Sequence, residues 1–176
     1  FFTARDILKK YSAEALRMFF AQAHYGGPLN FSEELLASAQ RGLEKLNTLV
    51  ERVEEKIKNG SQSKVTSDLD FNKYESAFRS AMEDDFNTPQ AVAVIFDFTK
   101  EVNKVMAESE DQPLDFYSSV KNFLERTAGS VLGILRFDRK SESSNGALEN
   151  ELIELLIALR NDAKLSKNYA LADKIR

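Results

Sequence analysis

Few residues in this chain could carry conventional chemistry. It has one histidine, His24, and no cysteine. That composition excludes disulfides, a Cys/His zinc site and a thiol nucleophile within the chain, and it fits a reducing compartment. His24 closes an amphipathic stretch and belongs to no Ser/His/Asp set, so packing or hydrogen bonding is a simpler role for it than catalysis. The acidic triplet Glu83-Asp84-Asp85 has the composition of a metal site. A local reading accounts for it: Phe86 anchors a turn, Asp85 or Asn87 bonds loop amides, and Thr88 caps the next helix. Gly26-Gly27 precedes Pro28 and lacks the strand–loop–helix context of a phosphate loop. The residues yield no catalytic group and no metal ligand.

Charge is the other chemistry available. The net charge of −4 argues at first against a nucleic-acid partner, but it is unevenly spread. Residues 1–24 carry four basic and two acidic side chains, residues 25–138 carry 13 and 20, and residues 139–176 carry seven and six. The middle is acidic and both ends are mildly basic, so a polyanion would be met at the ends.

The elements that must position these groups are helices. Glycine (7) and proline (3) are scarce and strand-like alternation is nearly absent. Thr3 with Asp6 has the form of a capping box, and Ser12 caps a second helix with a stripe of Leu16, Phe19, Phe20 and Ala23. Gly26-Gly27-Pro28 breaks it. After Ser32, gaps of three and four residues separate Leu36, Ala39, Leu43, Leu46, Val50, Val53 and Ile57, a long helix that Asn59-Gly60 terminates. Phe71, Tyr74, Phe78 and Ala81 mark a helix over 70–84. Thr88-Pro89 opens another over 89–108, with Val92, Ile95, Phe96, Thr99, Val102 and Met106 inward. A break at Asp111-Gln112-Pro113 leads to a helix over 114–136, with Val120, Phe123, Leu124, Val131, Leu132 and Leu135 inward. Short loops between four helices (32–58, 70–84, 89–108 and 114–136) predict an all-α, antiparallel four-helix bundle.

Residues 61–68 read as a polar loop and 138–147 as a serine-rich linker. A helix with Leu152, Leu156, Leu159 and Ala163 on one face follows, and a second begins near Asn168. No apolar run approaches the ~18 residues of a membrane span, and the opening residues lack the form of a signal peptide. The missing initiator methionine and the end in mid-pattern suggest a piece of a longer protein.

Three segments resemble one family, the class I cysteinyl-tRNA synthetases. FFTARDILKKYSAEALRMFFAQAHYGGPLNFS is similar to the stretch following the family's KMSKS loop. AMEDDFNTPQAVAVIFDFTKEVN, from Ala81 to Asn103, resembles its motif between two bundle helices. LRNDAKLSKNYALADKIR resembles its C-terminal pattern, with Asn168-Tyr169 and Ala172 to Arg176 in register. The segments occur in family order and spacing and bracket the chain. One departure is Gly26, where the family commonly has an arginine after the His-Tyr pair, which puts a basic contact there in doubt.

The resemblance implies a division of labour. Residues 1–24 would be connecting helices at the inner corner of the tRNA, 25–137 the bundle along the anticodon stem, 138–147 a linker, and 148–176 the start of the anticodon-reading domain. The parent would join cysteine to its tRNA through cysteinyl-adenylate, with ATP, Mg and one Zn in a catalytic domain of which no motif occurs here. It would be cytoplasmic and monomeric, with cysteine tRNA as partner and no membrane. This piece would orient the tRNA without performing chemistry. Phosphate contacts position a nucleic acid without reading its sequence. Arg5, Lys9, Lys10 and Arg17 are the first candidates for them, and Arg160, Lys164, Lys167 and Arg176 the second. The acidic middle would repel misregistered tRNA. Two alternatives are a related cysteine ligase acting on an amino-sugar and a helical interaction module that dimerises through the 32–58 helix. The basic C-terminal stretch favours the tRNA enzyme over the first, and size in solution separates the second.

Overall fold

A computed structural model describes residues 3–60, 63, 69–108, 112–137, 155–161, 164 and 173. Helix starts follow the local chemistry closely. In α1 (Ala4–Ile7) the Thr3 hydroxyl accepts from the Asp6 N–H, and in α2 (Ala13–Ala21) Ser12 accepts from Ala15. In α3 (Glu33–Asn59) Ser32 accepts from Leu35, and Gly60 ends the helix at φ 70°. That left-handed conformation suits glycine, which has no Cβ to clash. Asp70 caps α4 (Phe71–Glu83) by accepting from Lys73.

The turn into α5 (Thr88–Glu108) departs from the sequence expectation. Asn87 is the cap: its side-chain oxygen accepts from the Gln90 N–H at 3.2 Å and its carbonyl from Ala91 at 3.0 Å. Thr88 already lies inside the helix, and among the described residues its hydroxyl forms no hydrogen bond. Phe86 does not anchor the turn. It is 65% exposed, and both Asp85 (φ 50°) and Phe86 (φ 51°) are left-handed. The Asn87 N–H reaches back to the Ala81 carbonyl at 3.0 Å, closing the turn around these two residues.

The last long helix also differs. α6 (Leu114–Leu124) passes into a π-helical segment, Glu125–Val131, rather than continuing to 136. Buried Thr127 donates its hydroxyl to the Phe123 carbonyl at 2.7 Å, and Ser130 donates to Glu125. The wider turn rotates Val131 outward, leaving it 54% exposed where the regular period placed it inward. Ile134 and Leu135 return to the core.

Among the described residues there is no strand. α3 packs on α6 and α5, α4 on α5 and α6, and α2 lies along α3, contributing Ala15, Met18 and Phe19 to the same core. Gly42 allows that close approach: a Cβ there would come within 3.2 Å of the Phe96 ring and 3.6 Å of Met18. Of the expected α3 stripe, Leu36, Ala39, Leu43, Leu46 and Val53 are buried, Val50 and Ile57 are half-buried, and Leu49 joins them. Phe20 is 52% exposed, outside the stripe expected for α2. Phe98 forms the aromatic centre, with Phe123 at 4.1 Å, Tyr74 at 5.3 Å and Phe71 at 5.8 Å between ring centroids.

Proximity of Cα atoms divides the chain into Phe1–Phe137 and Asp138–Arg176. In the second unit residues 155–161 are helical, and Leu156 and Leu159 are exposed. Leu152, Ala163, the helix expected near Asn168, the 138–147 linker and nearly all of the 61–68 loop lie outside the described residues. No described helix is long and apolar enough to cross a membrane.

Candidate nucleic-acid interface

Of the eight cations selected from the sequence, the structure describes six. Arg5 is exposed on α1 and, among the described residues, forms no ion pair. Lys9 pairs with Asp6 at 3.3 Å, and Lys10 pairs with Glu33 at 3.2 Å, tying the loop after α1 to the start of α3. The Thr3 hydroxyl and then Lys9 hold the Asp6 carboxyl below its ordinary range. Arg17 is the most constrained of the four. Its guanidinium donates to the Gly133 carbonyl at 3.2 Å and sits 3.7 Å from Glu14, which also pairs with Arg136. Arg17 thus joins α2 to the chain after the π segment. Arg160 is half-buried and Lys164 exposed, both in the second unit, while Lys167 and Arg176 lie outside the described residues.

A second group of cations stands where the sequence suggested only acid. Between α3 and α5 runs a groove of about 370 Å³ lined by Lys45, Thr48, Arg52, Phe96, Lys100 and Asn103 among others. Lys45, Thr48 and Arg52 fall on one face of α3 because their spacing is three and four residues. Arg52 donates to the Asn103 side-chain oxygen at 3.0 Å, and Asn103 in turn donates to the Thr99 carbonyl at 2.9 Å. A neutral amide therefore aims the guanidinium and leaves its charge uncompensated. Among the described residues, Lys45, Arg52 and Lys100 form no ion pair. The α3 spacing was visible in the sequence. The arrival of Lys100 from α5 was not.

The acidic turn is built from local hydrogen bonds. Asp85 accepts the Tyr25 hydroxyl at 2.6 Å, which holds that phenol above its ordinary value, chiefly through the hydrogen bond. His24 stacks on Tyr25 at 4.8 Å, and its Nδ1 accepts from the Gly26 N–H at 3.1 Å. Among the described residues, no group of three or more His, Cys, Asp or Glu is placed to hold a metal. The triplet instead shapes the turn between α4 and α5 and ties it to the segment after α2.

A helical scaffold with cations at one end and in one interhelical groove is suited to positioning a nucleic acid. Residues 77–136 match the DALR domain, a helical anticodon-binding domain, and residues 1–41 match the tRNA synthetases class I (C) catalytic domain. The fold and these matches define a class I tRNA synthetase segment. Over 178 aligned positions covering the whole chain, identity is 41% to the cysteine–tRNA ligase of Dichelobacter nodosus VCS1703A. It is 39% to that of Pseudoalteromonas translucida TAC 125 and 37% to that of Haemophilus influenzae PittGG. The matches support a cysteinyl-tRNA synthetase fragment. It spans about a third of the length of these relatives, 35% of the first and 36% of the others.

Proposed function

We propose that this chain is the tRNA-positioning, non-catalytic portion of an enzyme that joins cysteine to its tRNA through cysteinyl-adenylate. The observation that carries the reading is the whole-chain identity to cysteine–tRNA ligases together with the DALR match over α4–α6. The partner is the cysteine isoacceptor, and the parent acts as a cytoplasmic monomer. ATP, Mg and Zn belong to residues outside this chain. Without cysteine, and with its one histidine engaged through Nδ1, the chain does not fit a Cys/His zinc site.

The four helices α3–α6 form an antiparallel bundle alongside the anticodon stem, flanked by residues 1–24 and 148–176. Arg5, Lys9 and Lys10 supply phosphate contacts at the first end, and Arg160, Lys164, Lys167 and Arg176 at the second. Lys9 and Lys10 are 70% and 66% exposed in their pairs, so a phosphate can exchange with the carboxylates at little cost. Arg17 takes part only by giving up its bonds to Gly133 and Glu14, which ranks it below the other three.

A salt series of equilibrium titrations with cysteine tRNA and an unrelated tRNA tests the reading. Binding should be weak, barely selective and steeply salt-dependent, with a log–log slope of about −2 to −4 for three or four phosphate contacts. Replacing Lys9 and Lys10 by alanine should shallow the slope by about one or two units. The purified chain should form no cysteinyl-adenylate. Adenylate formation, or no RNA binding even at low salt, would overturn the proposal.

A further inference from the structure

The acidic middle of the chain is not uniformly repulsive to RNA. Of the cations on Phe1–Phe137, Lys9, Lys10, Arg17, Lys104, Lys121, Arg126 and Arg136 are each committed to a carboxylate. Among the described residues Arg5, Arg41, Lys45, Arg52, Lys58, Lys73, Arg79 and Lys100 form no ion pair, and of these Lys45, Arg52 and Lys100 line one groove. Three carboxylates close in sequence, Glu44, Asp97 and Glu101, act on residues that do not line the groove, and Glu51 beside Arg52 is exposed. Asp97 and Glu101 act on Tyr74 of α4, whose hydroxyl is held above its ordinary value by burial first and by these two charges next. Glu101 also takes Lys104 at 3.1 Å, and Glu44 takes the side-chain amide of Gln40 at 3.2 Å.

Hydrogen-bonding groups accompany the charge. The exposed Thr48 hydroxyl donates to the Glu44 carbonyl at 2.9 Å and keeps acceptor capacity, while the Arg52–Asn103–Thr99 chain fixes the guanidinium. The half-buried Phe96 ring gives the groove an apolar floor. A cationic trough with an oriented arginine is a receptor for phosphodiester oxygens, because guanidinium groups pair with them through charge-assisted hydrogen bonds.

We infer that the α3/α5 groove is a phosphate-backbone site, in which Lys45, Arg52 and Lys100 hold an RNA strand against the body of the bundle. The inference rests on the tRNA-binding reading and deepens it: RNA is gripped along the bundle as well as by the terminal segments of the chain. These contacts carry no sequence information. They fix the distance and angle at which the tRNA lies.

The test compares two charge-matched variants of the whole chain, Lys45→Gln/Arg52→Gln/Lys100→Gln and Lys58→Gln/Lys73→Gln/Arg79→Gln, titrated with labelled cysteine tRNA over a salt series. All six residues are exposed, and circular dichroism verifies that each variant is folded. The groove variant should bind about tenfold or more weakly, and its salt slope should be shallower by about two or three units. The control should stay close to wild type. Arg52→Lys, which keeps charge but loses the fork, should fall between. Equal weakening by both triple variants would reduce the effect to net charge and overturn the site. Wild-type binding with an unaltered slope in the groove variant would overturn the groove while leaving the tRNA reading intact. No wild-type binding at low salt would overturn both. Displacement of RNA by polyglutamate at equal charge concentration, lost in the groove variant, would assign the groove to an acidic protein segment instead.

Discussion

The cap of α5 offers a test of the turn at single-residue resolution. Asn87→Ala removes the oxygen that accepts the Gln90 N–H at 3.2 Å, while the backbone carbonyl that accepts from Ala91 remains. Gln90 is exposed, so water can partly satisfy the freed donor, and the loss should be about 1 kcal/mol within the usual 0.5–2 range for caps. For a unit the size of Phe1–Phe137, this corresponds to a Tm lowered by about 3–5 °C. Thr88→Ala removes a hydroxyl without a partner among the described residues and should cost no more than about 0.5 kcal/mol. Asn87→Asp keeps an acceptor and adds negative charge beside the helix N-terminus, so it should match wild type. Chemical denaturation followed by circular dichroism gives all three values, with unchanged m confirming that only stability has moved. A larger loss for Thr88→Ala than for Asn87→Ala would refute the assignment of the cap.

Two further outcomes probe the core and the turn. Leu46→Ala should cost about 2–5 kcal/mol, because Leu46 has no exposed surface and neighbours on several helices cannot all collapse into the space; an unchanged denaturation midpoint would show the α3 face to be outside the core. The Tyr25 phenol should titrate above its ordinary value and return toward it in Asp85→Asn, as followed by the NMR shifts of the ring. Because the folded value is raised, the contribution to stability is complete below the unfolded-state pKa and disappears as pH rises through the folded one. Equal Tyr25 titration in wild type and Asp85→Asn would show that the 2.6 Å contact does not persist in solution.

Elements governed by local rules were legible in the sequence. Ser12 and Ser32 cap where their hydroxyls precede a periodic run, and Leu36, Ala39, Leu43, Leu46 and Val53 are buried because the three-four spacing puts them on one stripe. The errors fall where the backbone leaves the regular period. Two successive left-handed residues shift the α5 start by one position, moving the cap from Thr88 to Asn87. The π turn changes the rotation per residue after Leu124, so an α-helical projection misplaced Val131. Nothing in a linear pattern signals either event strongly, since Asp85, Phe86 and Glu125–Val131 are ordinary residue types for a regular helix or turn. The proposed site at the chain ends follows from charge segregation, which sequence displays directly. The groove needs α3 and α5 side by side, and that is a tertiary fact.

Net charge is therefore the wrong quantity for judging whether this bundle meets RNA. At physiological ionic strength a charge is felt over about 8 Å, so a phosphate responds to the side chains lining its own contact rather than to the chain's total of −4. Much of the acid is already engaged. Glu54 takes Lys121 at 2.8 Å, Glu75 takes Arg126 at 2.9 Å, and Glu14 lies between Arg17 and Arg136. The solvent-facing Glu54 and Glu75 pairs add little stability individually, but they remove repulsion from the faces on which they lie. Among the described residues Glu83 and Asp84 form no ion pair; they lie at the α4–α5 turn with exposed Phe86, and neither lines the groove. An RNA strand that slid from the groove toward that turn would exchange three cations for uncompensated carboxylates. On the proposed reading the acid would limit where along the bundle a strand can rest, and the groove would supply the attraction that holds it there.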